Sequence, residues 1–235
     1  MAATDSAMAG PGGTANAGSG DGGAKMTSGW ASPTTLGLLV FGGMTILFGL
    51  MFLPGPWGNP FAGSYANTPG QGYIFLGGSA FLAYATAAIL AIVGLIALFE
   101  GHHFWGTAFV GYAGFWASWG YASHHAGFLG FGVAWAAFFF VWTLFTLTFL
   151  LGSLKQGWGV FVGFLVLFIG MALLTALYWQ LGAQTNLAGA TAWSKISAGQ
   201  KWATGGVLIL TGFLWWYGGT AQIVHKVYGK KYLPM

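Results

Sequence analysis

Apolar residues run along this chain in long blocks separated by short polar breaks, with no strict alternation and no single helical stripe. A helix rises about 1.5 Å per residue, so roughly 20 consecutive apolar residues are needed to cross the hydrocarbon of a bilayer. Six blocks reach that length. They run from Thr34 to Leu53, before Pro54-Gly55-Pro56, and from Tyr73 to Phe99, before Glu100-Gly101-His102-His103. Phe104 to Ala122 ends at Ser123-His124-His125, and Ala126 to Leu151 ends before Ser153-Leu154-Lys155. The last two are Trp158 to Leu181, before a polar stretch from Gln184 to Lys201, and Trp202 to Val224, before His225-Lys226. The pattern predicts an all-α integral membrane bundle of six transmembrane helices over residues 30–235.

An even number of spans puts both termini on one face of the membrane. Cytoplasmic loops carry the excess of basic residues. With the termini inside, Lys25, Lys155, Lys226, Lys230 and Lys231 are cytoplasmic and only Lys195 and Lys201 lie outside. Both termini are therefore expected to be cytoplasmic. Residues 1–29 break the pattern, being small and polar with no apolar run. Such a segment buries too little surface to offset its chain entropy, so a disordered Gly/Ala/Ser-rich tail is expected. It lacks the basic start and hydrophobic centre of a signal peptide.

Composition narrows the function. Charged residues make up 4% of the chain, where a soluble domain carries about 25%. The bilayer is then the solvent and a partner, and a multi-pass protein of a cell inner membrane is expected. Seven lysines against three acids give a net charge of +4, with no basic patch able to neutralise many phosphates, so nucleic acid is not a partner. The absence of cysteine excludes thiolate metal sites and thiol nucleophiles. The loops leave no room for a soluble catalytic or nucleotide-binding domain, so the chain is not read as an enzyme and no cofactor is expected.

The candidate chemistry is sparse. The stretch from Ala31, ASPTTLGLLVFGGMTILFGL, starts with hydroxyls and a proline and carries Gly37, Gly42, Gly43 and Gly49. Ser32 suits a helix N-cap and Pro33 the first helical position. The glycines have two readings, close helix packing or space for a solute. A helix N-terminus also offers free N–H groups to an anion, and Thr34 and Thr35 add hydroxyls. Of the tryptophans, Trp57, Trp105, Trp158, Trp179, Trp193 and Trp202 fall near predicted interfaces, where an aromatic belt is expected. Tyr112, Trp116, Trp135 and Trp142 fall inside spans, where their polar atoms need partners. His102-His103 and His124-His125 are about 30 Å apart along one helix, which argues against a shared metal or haem site. No span contains Asp, Glu, Lys or Arg, the usual marks of an ion path. A carboxylate crossing such a bundle meets only dipoles, or crosses as the neutral acid.

Four motifs carry a resemblance. SPTTLGLLVFG resembles the N-P-A-P-L-G-L-x-x-F-G signature of the acetate uptake transporter family, also called the succinate–acetate permease family. GHHFWGTAFVGYAGFW, WTLFTLTFLLGSLK and GKKYLP are similar to three further motifs of that family, in the same order. The resemblance covers Ala31 to Pro234 and implies a six-helix protomer in a homohexamer, with a solute path within each protomer. It implies channel-like or proton-linked transport of acetate and related short-chain carboxylic acids, with succinate as a further candidate, past a constriction of Phe41, Tyr112 and Leu167. Ser32, Pro33, Thr34, Thr35, Thr45, Thr107, Trp116 and Trp142 are the candidate substrate contacts. Ser32 stands for the signature's Asn and Thr35 for its second Pro. Ammonia or ammonium transport, a haem-binding membrane redox subunit and a purely structural subunit remain as alternatives at this stage.

Overall fold

The structure, a computed structural model, describes residues 32–53, 72–125, 133–183, 189–229 and 233. Seven helices are found among them: α1 (Pro33–Leu50), α2 (Gly72–Phe99), α3 (His103–His125), α4 (Val133–Ser153), α5 (Trp158–Gly182), α6 (Gly189–Lys195) and α7 (Ala198–Tyr228). The expected tail, 1–29, lies outside the described residues, as do Trp57 and the loop that begins at Pro54. Among the described residues, α1, α4, α5, α7 and residues 80–99 of α2 are long and apolar enough to cross a membrane. α3 has the length, but its Trp, Tyr, Gly, Ser and His residues dilute its apolar character. The architecture is that of a multi-pass helical membrane bundle.

Local contacts fix the direction of each long helix. Gly37 of α1 lies against Phe109 of α3, and Phe48 against Trp119, so these two run parallel. Phe164 of α5 meets Phe104, and Tyr178 meets Phe52, so α5 runs the same way. α2, α4 and α7 run opposite, as the pairs Gly94–Val110 and Gly120–Ala80, Phe149–Phe104 and Trp135–Trp119, and Gly42–Gly212 and Gly49–Gly205 show. The tightest pairings are α1 on α7, α2 on α3, and α4 on α5.

Lipid supplies no hydrophobic push between helices, so close packing of small residues holds them together. At the α1–α7 crossing a Cβ on Gly42 would lie 2.6 Å from the Gly212 carbonyl oxygen, and one on Gly49 would lie 2.8 Å from that of Gly205. The relation is reciprocal, since Cβ atoms on Gly212 and Gly205 would meet the carbonyls of Gly42 and Gly49. Gly37 is filled by the Phe109 ring, whereas Gly43 has open space beside it. Three of the four glycines of the opening stretch are thus packing residues. Thr35 Oγ1 donates to Gln222 Oε1 at 2.7 Å, tying the start of α1 to the last turns of α7.

Two expectations need correction. α7 begins at Ala198, so Lys201 is inside a long apolar helix and 9% exposed, not in a polar outer loop as the composition of 184–201 suggested. Ser197 caps this helix by accepting from the Gln200 N–H at 3.2 Å, which draws the helix start four residues back. Trp105 and Trp193 are also not belt residues. Trp193 is buried, and Trp105 packs into the interior with Phe109, Phe164 and Trp215. Trp158, Trp179 and Trp202 are exposed.

Candidate functional site

α1 and α3 turn a shared face inward because their large side chains recur three to four positions apart. On α1 these are Leu38, Phe41, Met44 and Phe48, and on α3 Trp105, Phe109, Tyr112, Trp116 and Trp119. The Phe41 and Tyr112 rings meet at 4.9 Å between centroids, tilted by 50°. Phe41 also contacts Trp116 at 6.4 Å and Trp215 of α7 at 6.3 Å, both edge-on. Trp215 packs on Phe164 at 4.8 Å and on Trp105 at 6.1 Å. Such pairs each contribute about 0.5–1.5 kcal/mol beyond area burial, so the rings form a stiff cluster.

A small cavity lies beside it, lined by Leu38, Phe41, Trp105, Tyr112, Phe164 and Trp215 among others. Its volume of about 10 Å³ holds roughly one water. The cavity surface is apolar throughout. Within the surrounding rings, two indole N–H groups are left over. Trp116 Nε1 and Trp215 Nε1 are buried with no hydrogen-bond partner among the described residues. An orphaned buried donor costs about 1–3 kcal/mol. They lie on opposite sides of Phe41 along the bundle. Trp116 packs toward Phe48, and Trp215 toward Trp105 and Phe164.

The hydroxyls near the cluster are already committed. Thr45 Oγ1 donates to the Phe41 carbonyl at 2.7 Å and Thr143 Oγ1 to that of Phe139 at 2.8 Å. Thr146 Oγ1 donates to the Trp142 carbonyl at 2.7 Å. With that proton used, the Tyr112 hydroxyl is the donor in its 2.9 Å bond to Thr146 Oγ1.

The sequence-derived residues separate into groups. Phe41, Tyr112 and Trp116 come together, with Trp142 stacked on Tyr112 at 6.1 Å. Leu167 is buried in the core, but the cavity is lined from α5 by Phe164, almost one turn earlier. Ser32 stands at the N-cap of α1 with Pro33 next, but the Ser32 side chain makes no cap bond. Thr34 is buried, Thr35 is bonded to Gln222, and Thr107 is exposed. Sequence reasoning missed Trp215 and Phe164. The available signal for Trp215 was an indole N–H deep in an apolar block, the criterion that found Trp116. Among the described residues no group of three or more His, Asp or Glu comes together to hold a metal ion.

Fold and aromatic cluster together describe a helical membrane bundle with closely packed aromatic rings in its interior. No protein-family model and no curated protein sequence matches the chain. Among solved structures, that of the bacterial acetate channel SatP is similar to it, with a TM-score of 0.64 and 21% sequence identity. The match covers 88% of this chain and 99% of that chain. At this identity the likeness defines a shared fold, in agreement with the resemblance carried by the sequence motifs.

Proposed function

We propose that the chain belongs to the acetate uptake transporter family. It is proposed to conduct acetate and related short-chain carboxylic acids through a path within each protomer of a homohexamer. In this reading the six long helices all span a cell inner membrane, both termini are cytoplasmic, and the protein is a transporter rather than an enzyme. The observation that carries the reading is the Phe41–Tyr112 neck with an orphaned indole N–H on either side. The likeness in fold to an acetate channel supports it.

The chemistry follows from the surroundings. A ring-lined neck with room for roughly one water excludes hydrated ions and gates by dewetting. A bare carboxylate there has no cation to pair with and is costly to bury. The two indole N–H groups donate to a carboxyl oxygen as it arrives and as it leaves, replacing part of its water. The neutral acid crosses the neck itself, so the proton travels with the substrate. Uptake of labelled acetate into proteoliposomes holding only this protein tests the proposal. Saturable uptake, inhibited by propionate and not by methylammonium, is expected. Uptake equal to that of protein-free vesicles would refute it.

A further inference from the structure

The chain has three acids, Asp5 and Asp21 in the tail and Glu100. Glu100 follows α2 at the end of the bundle where α1, α3 and α5 begin. Lys201 sits at the opposite end, in the first turn of α7, where it is 9% exposed. No carboxylate of the bundle can reach it. Its described partner is a π face, with Nζ 4.7 Å from the centroid of the Trp193 ring on α6. Trp193 is itself buried and packs on Phe52 at 6.4 Å, beneath which Phe52 meets Tyr178. A buried ammonium is costly unless an anion balances it.

A second group points the same way. Thr204 is fully buried, and its Oγ1 has no hydrogen-bond partner among the described residues. It stands three positions after Lys201, and residues three apart on a helix share a face, with Cβ atoms about 5–6 Å apart. An uncompensated ammonium and an unpartnered hydroxyl on one helical face match the two oxygens of a carboxylate. Lys201 and Trp215 are fourteen positions apart, about 21 Å along the helix, so this place is distinct from the neck.

We propose that Lys201 and Thr204 form a docking site for small monocarboxylate anions at the end of the bundle where α7 begins, loading the path before the neck. The inference deepens the transport reading and rests on it for the choice of carboxylate. The site captures the charged form, which the neck does not pass; the anion takes a proton from water as it leaves the site, and the crossing rate is left to the neck.

Two measurements on the full chain test this. In proteoliposomes, Lys201→Gln is expected to raise the half-saturating acetate concentration about five- to tenfold and Thr204→Val about two- to threefold. Maximal uptake should stay within twofold, and Lys201→Arg should stay close to the parent. An unchanged half-saturation in Lys201→Gln, or a loss confined to maximal rate, would overturn the proposal. In detergent, sodium acetate should raise the unfolding midpoint of the parent and not of Lys201→Gln, while acetamide and sodium chloride leave both unmoved. Equal protection of both by acetate, no protection of the parent, or protection by chloride equal to that by acetate would overturn it even where no uptake is seen. Protection that depends on Lys201 without uptake would sustain the docking site and sink the transport reading alone.

Discussion

Gly42 and Gly43 are neighbours in sequence with opposite surroundings, and a methyl group added to each gives opposite expectations. At Gly42 the new Cβ would lie 2.6 Å from the Gly212 carbonyl oxygen and 2.7 Å from the Trp216 nitrogen. That is about 0.8 Å short of the 3.4 Å at which ordinary contact begins, and both obstacles are backbone. No side chain can turn aside, so α1 and α7 must separate along their crossing. Overpacking of this kind costs about 1–3 kcal/mol, with the upper part of that range expected for backbone against backbone. Alanine's better helix propensity returns up to about 1 kcal/mol. Gly42→Ala should therefore be destabilising by about 1–2 kcal/mol net. Gly43→Ala meets nothing within 4 Å and should be neutral or stabilising by up to about 1 kcal/mol. The assay is the unfolding midpoint of each purified variant in one detergent, read by loss of the folded peak in size exclusion. A kcal/mol corresponds to roughly 2–4 °C for a chain of this size. The same separation would draw Phe41 away from Trp215, so Gly42→Ala should also change acetate uptake while Gly43→Ala does not. Equal midpoints for the two variants, or a lower one for Gly43→Ala, would refute the packing argument.

Other expectations are briefer. Trp215→Phe keeps a ring but removes an orphaned donor, so stability should hold or rise by about 1 kcal/mol while acetate uptake falls several-fold; unchanged uptake would remove the indole N–H from the path. Phe41→Ala empties the centre of the neck, which should lower stability by about 3–5 kcal/mol and admit larger acids such as butyrate. An unaltered acid preference in folded protein would place the constriction elsewhere. Carboxylic acids titrate near 4, so above that value the neutral fraction falls tenfold per pH unit. Protein-dependent uptake at fixed total acetate should therefore climb steeply as pH falls from 7 to 5, and a flat profile would contradict passage of the neutral acid.

The helical bundle was legible in the sequence because twenty-residue apolar blocks have one physical solution in lipid, and most of the breaks between them fell close to the observed helix ends, the expected start at Ala126 lying outside the described residues. That Phe41, Tyr112 and Trp116 are large residues with a recognisable motif around them was also legible, and the structure packs the three together. What failed depended on partners distant in sequence. Nothing local says that Gly42 and Gly49 face Gly212 and Gly205, since that register exists only once α1 and α7 cross. Lys201 read as a loop residue because lysine is rarely placed inside an apolar helix, and the Ser197 cap that extends α7 past it is a single hydrogen bond. Phe164 and Leu167 are both apolar and nearly one turn apart on α5, so periodicity alone cannot choose which lines the cavity.

The bond from Tyr112 to Thr146, and from Thr146 to the Trp142 carbonyl, leaves every hydroxyl in that chain without a spare proton. Thr45 and Thr143 have likewise turned theirs onto their own helices. What these oxygens have left to offer is lone pairs. On the proposed reading, a guest that reaches them with its acidic hydrogen finds acceptors, and one that has lost it meets repulsion. The discrimination between the two forms of an acid would then be written into which way four small dipoles point, without any charged side chain at that depth.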